Sequence, residues 1–488
     1  MNLYQNPAHE EQSKILFPPP GYRESRLQKA CFHLLKTQPD KSIKSGIPIS
    51  QKVSFLVFLT ITCALFILGQ FSINDIMVVF SIFLLLQVIF RFYAAIISIF
   101  NSPKTKSTSP SKKSVSFALP KFTLLIPLYH EQAVASRSVS AMEALNYPAD
   151  KLEVFYLTEE DDKATESALK KAIKHQNFKI ISVPKHAPRT KPKALNYGLQ
   201  FSTGDIVTVY DAEDIPHPQQ LLAAAQAFQN GGTNLAVIQA PLHAYNGEES
   251  WIASQFDLEY AIHFDVWLPA MTKMGWPIPL GGTSNHFKKN VLEKVGAWDP
   301  FNVTEDADLG YRLALNGYSA GMIELPTREE APINLAQWLP QRTRWIKGHI
   351  QSLAVLSRKP FETIKSLGLW RSLGCLITFV SAILTAGLHG PLLLYLAYSI
   401  ITAPNTLNPL HLIPIILAFS SVILAALASS AVTHCFKPLL TAPFYWPLMS
   451  FAFIRAIWEL HTRPYIWSKT QHGISKSKIP LLHKEPVT

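Results

Sequence analysis

Two apolar runs, residues 53–72 and 76–100, constrain this 488-residue chain more than any other feature. Each reaches the ~20 residues needed to cross the hydrocarbon core of a bilayer. The polar Ser72-Ile73-Asn74-Asp75 between them makes a tight turn, so the pair reads as a transmembrane hairpin over 51–101. Lys41, Lys44 and Lys52 flank one side, and Lys104, Lys106, Lys112 and Lys113 the other. By the positive-inside rule both ends face the cytosol. Arg91, inside the second run, marks where that span nears the headgroups.

Further apolar runs occupy about 372–386, 391–403, 410–434 and 441–460. The first two are short and separated by Gly387-Leu388-His389-Gly390. They read either as two tilted spans or as one span after an interfacial helix. The lysine-bearing tail 463–488 looks cytosolic, which favours an even number of C-terminal spans, about four, and six in all. Arg455, Glu459 and His461 either face a ligand path or snorkel at the membrane edge.

Apolar residues make up 48% and charged residues 16%, too oily for an ordinary soluble enzyme and too polar for a pure transporter. The net charge of +11 suits anionic lipid or an anionic substrate such as a sugar nucleotide. No basic helix or aromatic-basic ladder supports nucleic acid as a partner. Cys31, Cys63, Cys375 and Cys435 are scattered, without metal or disulfide spacing. Residues 1–50 read as a flexible or loosely helical basic tail. No hydrophobic run starts within the first thirty residues, which argues against a cleaved signal peptide. The Ser/Pro/Lys-rich 102–119 is a linker.

From Lys121 the pattern alternates strand and helix. Strands are expected at 122–129, 152–157, 179–183 and 205–210, with helices through 146 and over 163–175 and 193–202. Such alternation indicates an α/β domain with a mostly parallel sheet covered on both faces. Ligands of such sheets bind beyond the carboxyl ends of the strands, where the acidic clusters fall. Glu159-Glu160-Asp161-Asp162 follows the second strand and is either a solvated helix N-terminus or part of a site. Asp211-Ala212-Glu213-Asp214 follows another strand, and carboxylates two apart at a strand end can share one hard divalent cation. Lys191 and Lys193 lie between the clusters and can reach a nucleotide. Gly281-Gly282-Thr283-Ser284 lets backbone approach a ligand and offers hydroxyls, or is a plain turn. Thr304-Glu305-Asp306 is either a capped helix start or the seat of a general base. Gln341-Arg342-Thr343-Arg344-Trp345 combines a phosphate-binding guanidinium, a flat indole and an amide. A basic-aromatic helix resting on headgroups has the same composition.

In this order, the acidic cluster, Asp-x-Glu, Thr-Glu-Asp and Gln-x-x-Arg-Trp resemble the family 2 inverting glycosyltransferases, specifically the membrane-embedded cellulose-synthase-like branch of glucan, mannan and glucomannan synthases. The resemblance implies a GT-A-type, Rossmann-like domain over 120–345, inserted between transmembrane helices, with an interfacial helix over 346–371 and spans over 372–462. It implies Asp306 as general base, and Asp211 with Glu213 as ligands of Mg²⁺ or Mn²⁺; Glu213 stands where the family usually has Asp. Lys191, Arg342 and Arg344 would contact the donor's nucleotide and phosphates, with Glu160 or Asp162 reading the base. Gln341 and Trp345, with Gly282 and Thr283, would hold the acceptor. Residues 467–473 are reminiscent of a loop that closes over the nucleotide. The implied reaction is a single inverting displacement from a nucleotide sugar, UDP-glucose or GDP-mannose, that elongates a polysaccharide at the plasma membrane from the cytosolic side. Single transfer to a lipid, as in ceramide glucosyltransferase-like enzymes, carries a similar Arg-Trp motif. A non-catalytic transporter or scaffold is the third class. No partner subunit is specified.

Overall fold

A computed structural model describes residues 15–16, 21–70, 73–101, 118–402, 409–467 and 473–477. The expected α/β domain is present. Its strands are β1 (Ile15–Leu16), β2 (Phe122–Leu128), β3 (Leu152–Glu159), β4 (Phe178–Val183), β5 (Ile206–Val209), β6 (Ile215–Pro216), β7 (Leu235–Gln239), β8 (Leu242–Ala244), β9 (Asn285–Lys288), β10 (Ser319–Met322) and β11 (Thr327–Glu329). Eight form one sheet in the order β1-β4-β3-β2-β5-β9-β7-β10, and β6-β11-β8 form a second. From β1 to β5 every neighbour is parallel; β9 runs antiparallel to both β5 and β7. The near-continuous apolar runs of β2 and β3 reflect this, because a parallel strand is covered on both faces. The strands from β6 onward are short and broken by glycine, proline and polar residues, and carried no periodic signal.

Residues 21–46 are not a free tail. The Arg23–Thr37 helix buries Leu27, Ala30, Cys31 and Leu34. It exchanges hydrogen bonds with the Lys191–Leu199 helix and the residue that follows it: Arg26 Nη1 donates to the Gln200 carbonyl at 2.8 Å, Gln200 Nε2 to the Arg26 carbonyl at 2.9 Å, and Asn196 Nδ2 to the Ala30 carbonyl at 3.1 Å. The apolar face of this helix, diluted by lysines and arginine, hid its role.

Among the described residues, three helical stretches are long and apolar enough to cross a membrane: Ile49–Ile67, Ser81–Phe100 and Pro360–Thr402. Ile415–Leu427 is apolar but shorter. Nothing in the Ile49–Ile67 helix is buried, although it is almost wholly apolar. Asn74 and Asp75 belong to the Ile73–Asn101 helix rather than to a turn. Gly387 to Gly390 do not divide two spans either, since Ser381–Thr402 is one helix through them.

The last apolar run falls on the Phe436–Thr462 helix. It is bonded both to the domain and to the Ser381–Thr402 helix, where Ser450 Oγ donates to the Ala386 carbonyl at 2.9 Å. Gln255 Nε2 donates to the Pro438 carbonyl at its start (2.7 Å), Trp338 Nε1 to the Tyr445 hydroxyl in its first half (2.7 Å), and Lys347 pairs with Glu459 near its end (3.0 Å). Phe436, Leu440, Phe444, Phe451, Ile454 and Trp458 are exposed.

Candidate active site

The antiparallel pairing of β5 with β9 sets Val209 opposite Asn285. The residues that follow β5 therefore meet those that precede β9. Asp211 N donates to Asp214 Oδ2 (2.7 Å) and to Thr283 Oγ1 (3.1 Å), and the Thr283 hydroxyl donates to Asp214. Thr283, buried, thus closes the acidic loop. Lys191, at the start of its helix, ion-pairs with Asp211 and donates to the Gly282 carbonyl at 2.6 Å. A Cβ on Gly282 would sit 3.2 Å from Asp306 Oδ2 and 3.8 Å from Lys191 Nζ. The missing side chain keeps the space between Asp306 and Lys191 open.

Acid crowds this space. Burial pushes the Glu213 and Asp214 carboxyls above their usual range, and the neighbouring Asp211 pushes them further. Burial, with Glu213 and Asp211 beside it, raises Glu329 from 4.5 to about 8. Glu305 and Asp306 are also raised by burial, while the Ala307 N–H, Lys191, Arg344 and His349 draw Asp306 back down. The Ala307 amide donates to Asp306 Oδ1 at 2.7 Å. Thr304 precedes this helix but its side chain makes no capping bond. Burial opposes the charge on Lys191, and Asp211, Glu305 and Asp306 overcome it.

Asp211 and Glu213, with Asp214 and Glu329 behind them, are a hard-oxygen donor set carrying more potential negative charge than Lys191 can balance. The set fits Mg²⁺ or Mn²⁺. Among the described residues no group of three or more His, Cys, Asp or Glu side chains is placed to hold a metal ion by itself. Mg²⁺ is commonly bound through one or two carboxylates plus substrate phosphates, which suits this set.

The Leu335–Leu356 helix, capped by the Asn334 side chain, carries Gln341, Arg342, Arg344 and Trp345 mid-helix rather than before a helix start. Helical spacing brings Gln341, Trp345 and His349 to one face. Gln341 is buried, and its Oε1 lacks a hydrogen-bond partner. Trp345 lies parallel to Tyr260, with ring centroids 6.0 Å apart and 15° between planes. Arg342 is committed elsewhere than to a phosphate: both its terminal nitrogens lie 2.7 Å from Glu259, with the guanidinium 4.4 Å from the Trp345 ring centre. Arg344 donates to the Val303 carbonyl at 3.3 Å and stacks over Trp467 at 4.5 Å.

The first acidic cluster stays away from this centre. Asp162 caps a helix through Thr165 N (3.2 Å) and accepts from His130 N (2.6 Å), while Glu160 pairs with Arg23 at 2.6 Å. Both are held by structural partners, which leaves Glu159, paired with Lys193 at 2.7 Å, on the cavity wall. Residues 468–472 of the expected closing loop lie outside the described residues. Beyond them, the amides of Gly473, Ile474 and Ser475 all donate to Glu330.

Asp211, Glu213, Lys191, Gly282, Thr283, Asp306, Gln341, Arg342, Arg344 and Trp345 all line one cavity of about 610 Å³. It continues past Tyr260 and His349 to Phe379, His389 and Trp446 on the C-terminal helices. Glu305 lines it as well, and so do Tyr260, Glu329 and His349, which escaped the sequence reading. His349, four residues after Trp345, was legible from helical spacing; Glu329 ends a three-residue strand and gave no pattern.

The family model described as "Glycosyltransferase like family 2" matches residues 120–348. A probable glycosyltransferase YdaM of Bacillus subtilis is 29% identical over 47% of this chain and 56% of its own length. A beta-monoglucosyldiacylglycerol synthase of Nostoc is 25% identical over 49% of this chain and 51% of its own. A probable glucomannan 4-beta-mannosyltransferase 6 of rice (Oryza sativa subsp. japonica) is 25% identical over 52% of this chain and 46% of its own. The chain thus spans about half the length of the curated relatives it matches. The matched stretch holds every strand except β1 together with the acidic centre, and ends three residues past Trp345, so residues 120–348 are an α/β domain similar to those of glycosyltransferase family 2.

Proposed function

We propose that the protein transfers a hexosyl group from a nucleotide sugar, with inversion, to an acceptor hydroxyl presented from a membrane. The observation that carries this is the placement of Asp306 and Lys191 across the gap left by Gly282, in a cavity that runs on between the apolar helices. Asp306 takes the proton of the acceptor hydroxyl as that oxygen bonds to the anomeric carbon. The bond from that carbon to the donor's diphosphate oxygen breaks on the opposite face, and the electron pair leaves with the diphosphate. Lys191 and Arg344 carry the positive charge that receives it. A divalent cation held by Asp211 and Glu213 supplies further charge neutralisation when bound. Gln341 and Trp345 orient the acceptor by hydrogen bonding and stacking.

For the acceptor, a growing β-polysaccharide is the first reading, supported by the motif order, the Trp345 platform and the glucomannan synthase relative. The second is single transfer to a lipid. The glycolipid synthase relative favours it, as do the aliphatic side chains that line the far end of the cavity. Detergent-solubilised protein given UDP-glucose, GDP-mannose or UDP-N-acetylglucosamine with Mg²⁺ or Mn²⁺, beside Asp306→Asn, tests both. A long glycosidase-sensitive polymer supports the first reading and a lipid-linked monosaccharide the second. Equal turnover by Asp306→Asn would refute the mechanism.

A further inference from the structure

At the inner end of the cavity stand Gln87, Trp267 and Arg91, two of which hold a buried polar atom without a hydrogen-bond partner. Gln87 is only 6% exposed, and its Oε1 has no hydrogen-bond partner. The buried Nε1 of Trp267 has none either. Arg91, one helical turn beyond Gln87, lays its guanidinium over the Trp267 ring at 4.6 Å. All three line the cavity, together with His389, which stacks on Trp446 at 5.4 Å.

No carboxylate balances Arg91 among the described ion pairs. The acid whose charge reaches it is Glu259, and Glu259 is already gripped by Arg342 and by the Tyr445 hydroxyl. A half-buried cation lacking a counter-ion is uncompensated, and a neutral hydroxyl ligand does not supply the missing charge. An anion does.

The level and the walls narrow the class. Phe90, the residue before Arg91, packs on Trp276 of the domain at 5.2 Å, so Arg91 sits where the Ile73–Asn101 helix meets the domain. Its side chain faces the cavity. Ala382, Ile383, Ala386, Ala418, Val422 and Met449 line the cavity beside it and offer only aliphatic surface. The Arg91 guanidinium and the Trp267 N–H, donors next to an aliphatic wall, match the two halves of an amphiphile.

We propose that Arg91, Gln87 and Trp267 form a binding site for the phosphate headgroup of an anionic lipid whose chains lie along this wall. The proposal rests on the reading that the cavity receives a ligand from the membrane. Its test reads lipid binding rather than transfer, so either can fail while the other stands.

Full-length, delipidated protein in detergent is titrated with dipalmitoyl phosphatidic acid or dipalmitoylglycerol and followed by native mass spectrometry. Phosphatidic acid should bind more tightly than the matched diacylglycerol by at least about tenfold, as a charge-assisted contact supports. Arg91→Gln should abolish that preference, and Lys437→Gln on the Phe436–Thr462 helix should keep it. Inorganic phosphate at millimolar concentration should not displace the bound lipid from the wild-type protein. Equal binding of the two lipids by wild type, an undiminished preference in Arg91→Gln, or displacement by free phosphate would each overturn the proposal. The first and last arms use unmutated protein and so do not depend on the variant folding.

Discussion

Gly348 of the Leu335–Leu356 helix lies against Thr304, so close that a Cβ on Gly348 would come within 2.2 Å of Thr304 Oγ1 and 2.5 Å of its Cγ2. The helix that carries Gln341, Arg344 and Trp345 thereby touches the residue two positions before Asp306. Gly348→Ala must push the two segments apart, at the ~1–3 kcal/mol typical of overpacking. Turnover should fall by about tenfold or more, and Gly348→Ala with Thr304→Ala should recover part of it. Steady-state rates of the single and double variants check this.

Asp306→Asn removes the proposed base while keeping its size. A loss in kcat of about 10²- to 10⁴-fold is expected. In the parent enzyme kcat/KM should fall toward acid pH, with the limb above that of an ordinary aspartate, because burial raises the Asp306 carboxyl. A pH–rate profile lacking that limb would remove Asp306 from the role.

Glu329 carries the opposite message for stability. Its carboxyl rises from 4.5 to about 8 on burial, so between those pH values the folded protein binds a proton that the unfolded chain has released. Stability contributed by this group is complete at acid pH and lost as pH rises toward 8. Glu329→Gln should therefore raise the melting temperature at pH 8 relative to the parent and leave it unchanged near pH 4, as thermal unfolding in detergent will show. Mn²⁺ should narrow the difference at pH 8 by favouring ionised carboxyls.

The Arg342–Glu259 pair predicts a structural cost. Glu259→Gln leaves a guanidinium with 5% side-chain exposure beside a neutral amide. Removing one partner of a buried pair costs about 3 kcal/mol at the lower end, the end appropriate to a half-open carboxylate. A lower melting temperature is expected, with Arg342→Met and Glu259→Leu together restoring more stability than activity.

The acidic centre was readable because its chemistry is written contiguously. Asp211, Thr304-Glu305-Asp306 and Gln341 to Trp345 each sit at the end of a strand or on one helix, and the parallel half of the sheet announced itself by apolar runs. Arg342 shows where such reading stops: its partner Glu259 is 83 residues away, and no local pattern links them. Asp162 shows the reverse error, a carboxylate suited to a ligand but used as a helix cap. The Phe436–Thr462 helix has the length of a span, and its bonds to Gln255, Trp338 and Lys347 left no trace in that local pattern.

Strand β1, which precedes both apolar helices of the hairpin in sequence, pairs in parallel with β4, which follows them: Ile15 is opposite Ile180 and Leu16 opposite Ile181. Two crossings return a chain to the side it left, and one crossing would strand the two partners on opposite faces of the bilayer. If the two helices cross a bilayer, this pairing ties the parity of their passage to backbone hydrogen bonds, independently of where the lysines fall. It also makes the outer edge of the transferase sheet a property of the membrane-inserted chain, since a fragment cut at the linker would lose the strand that covers β4.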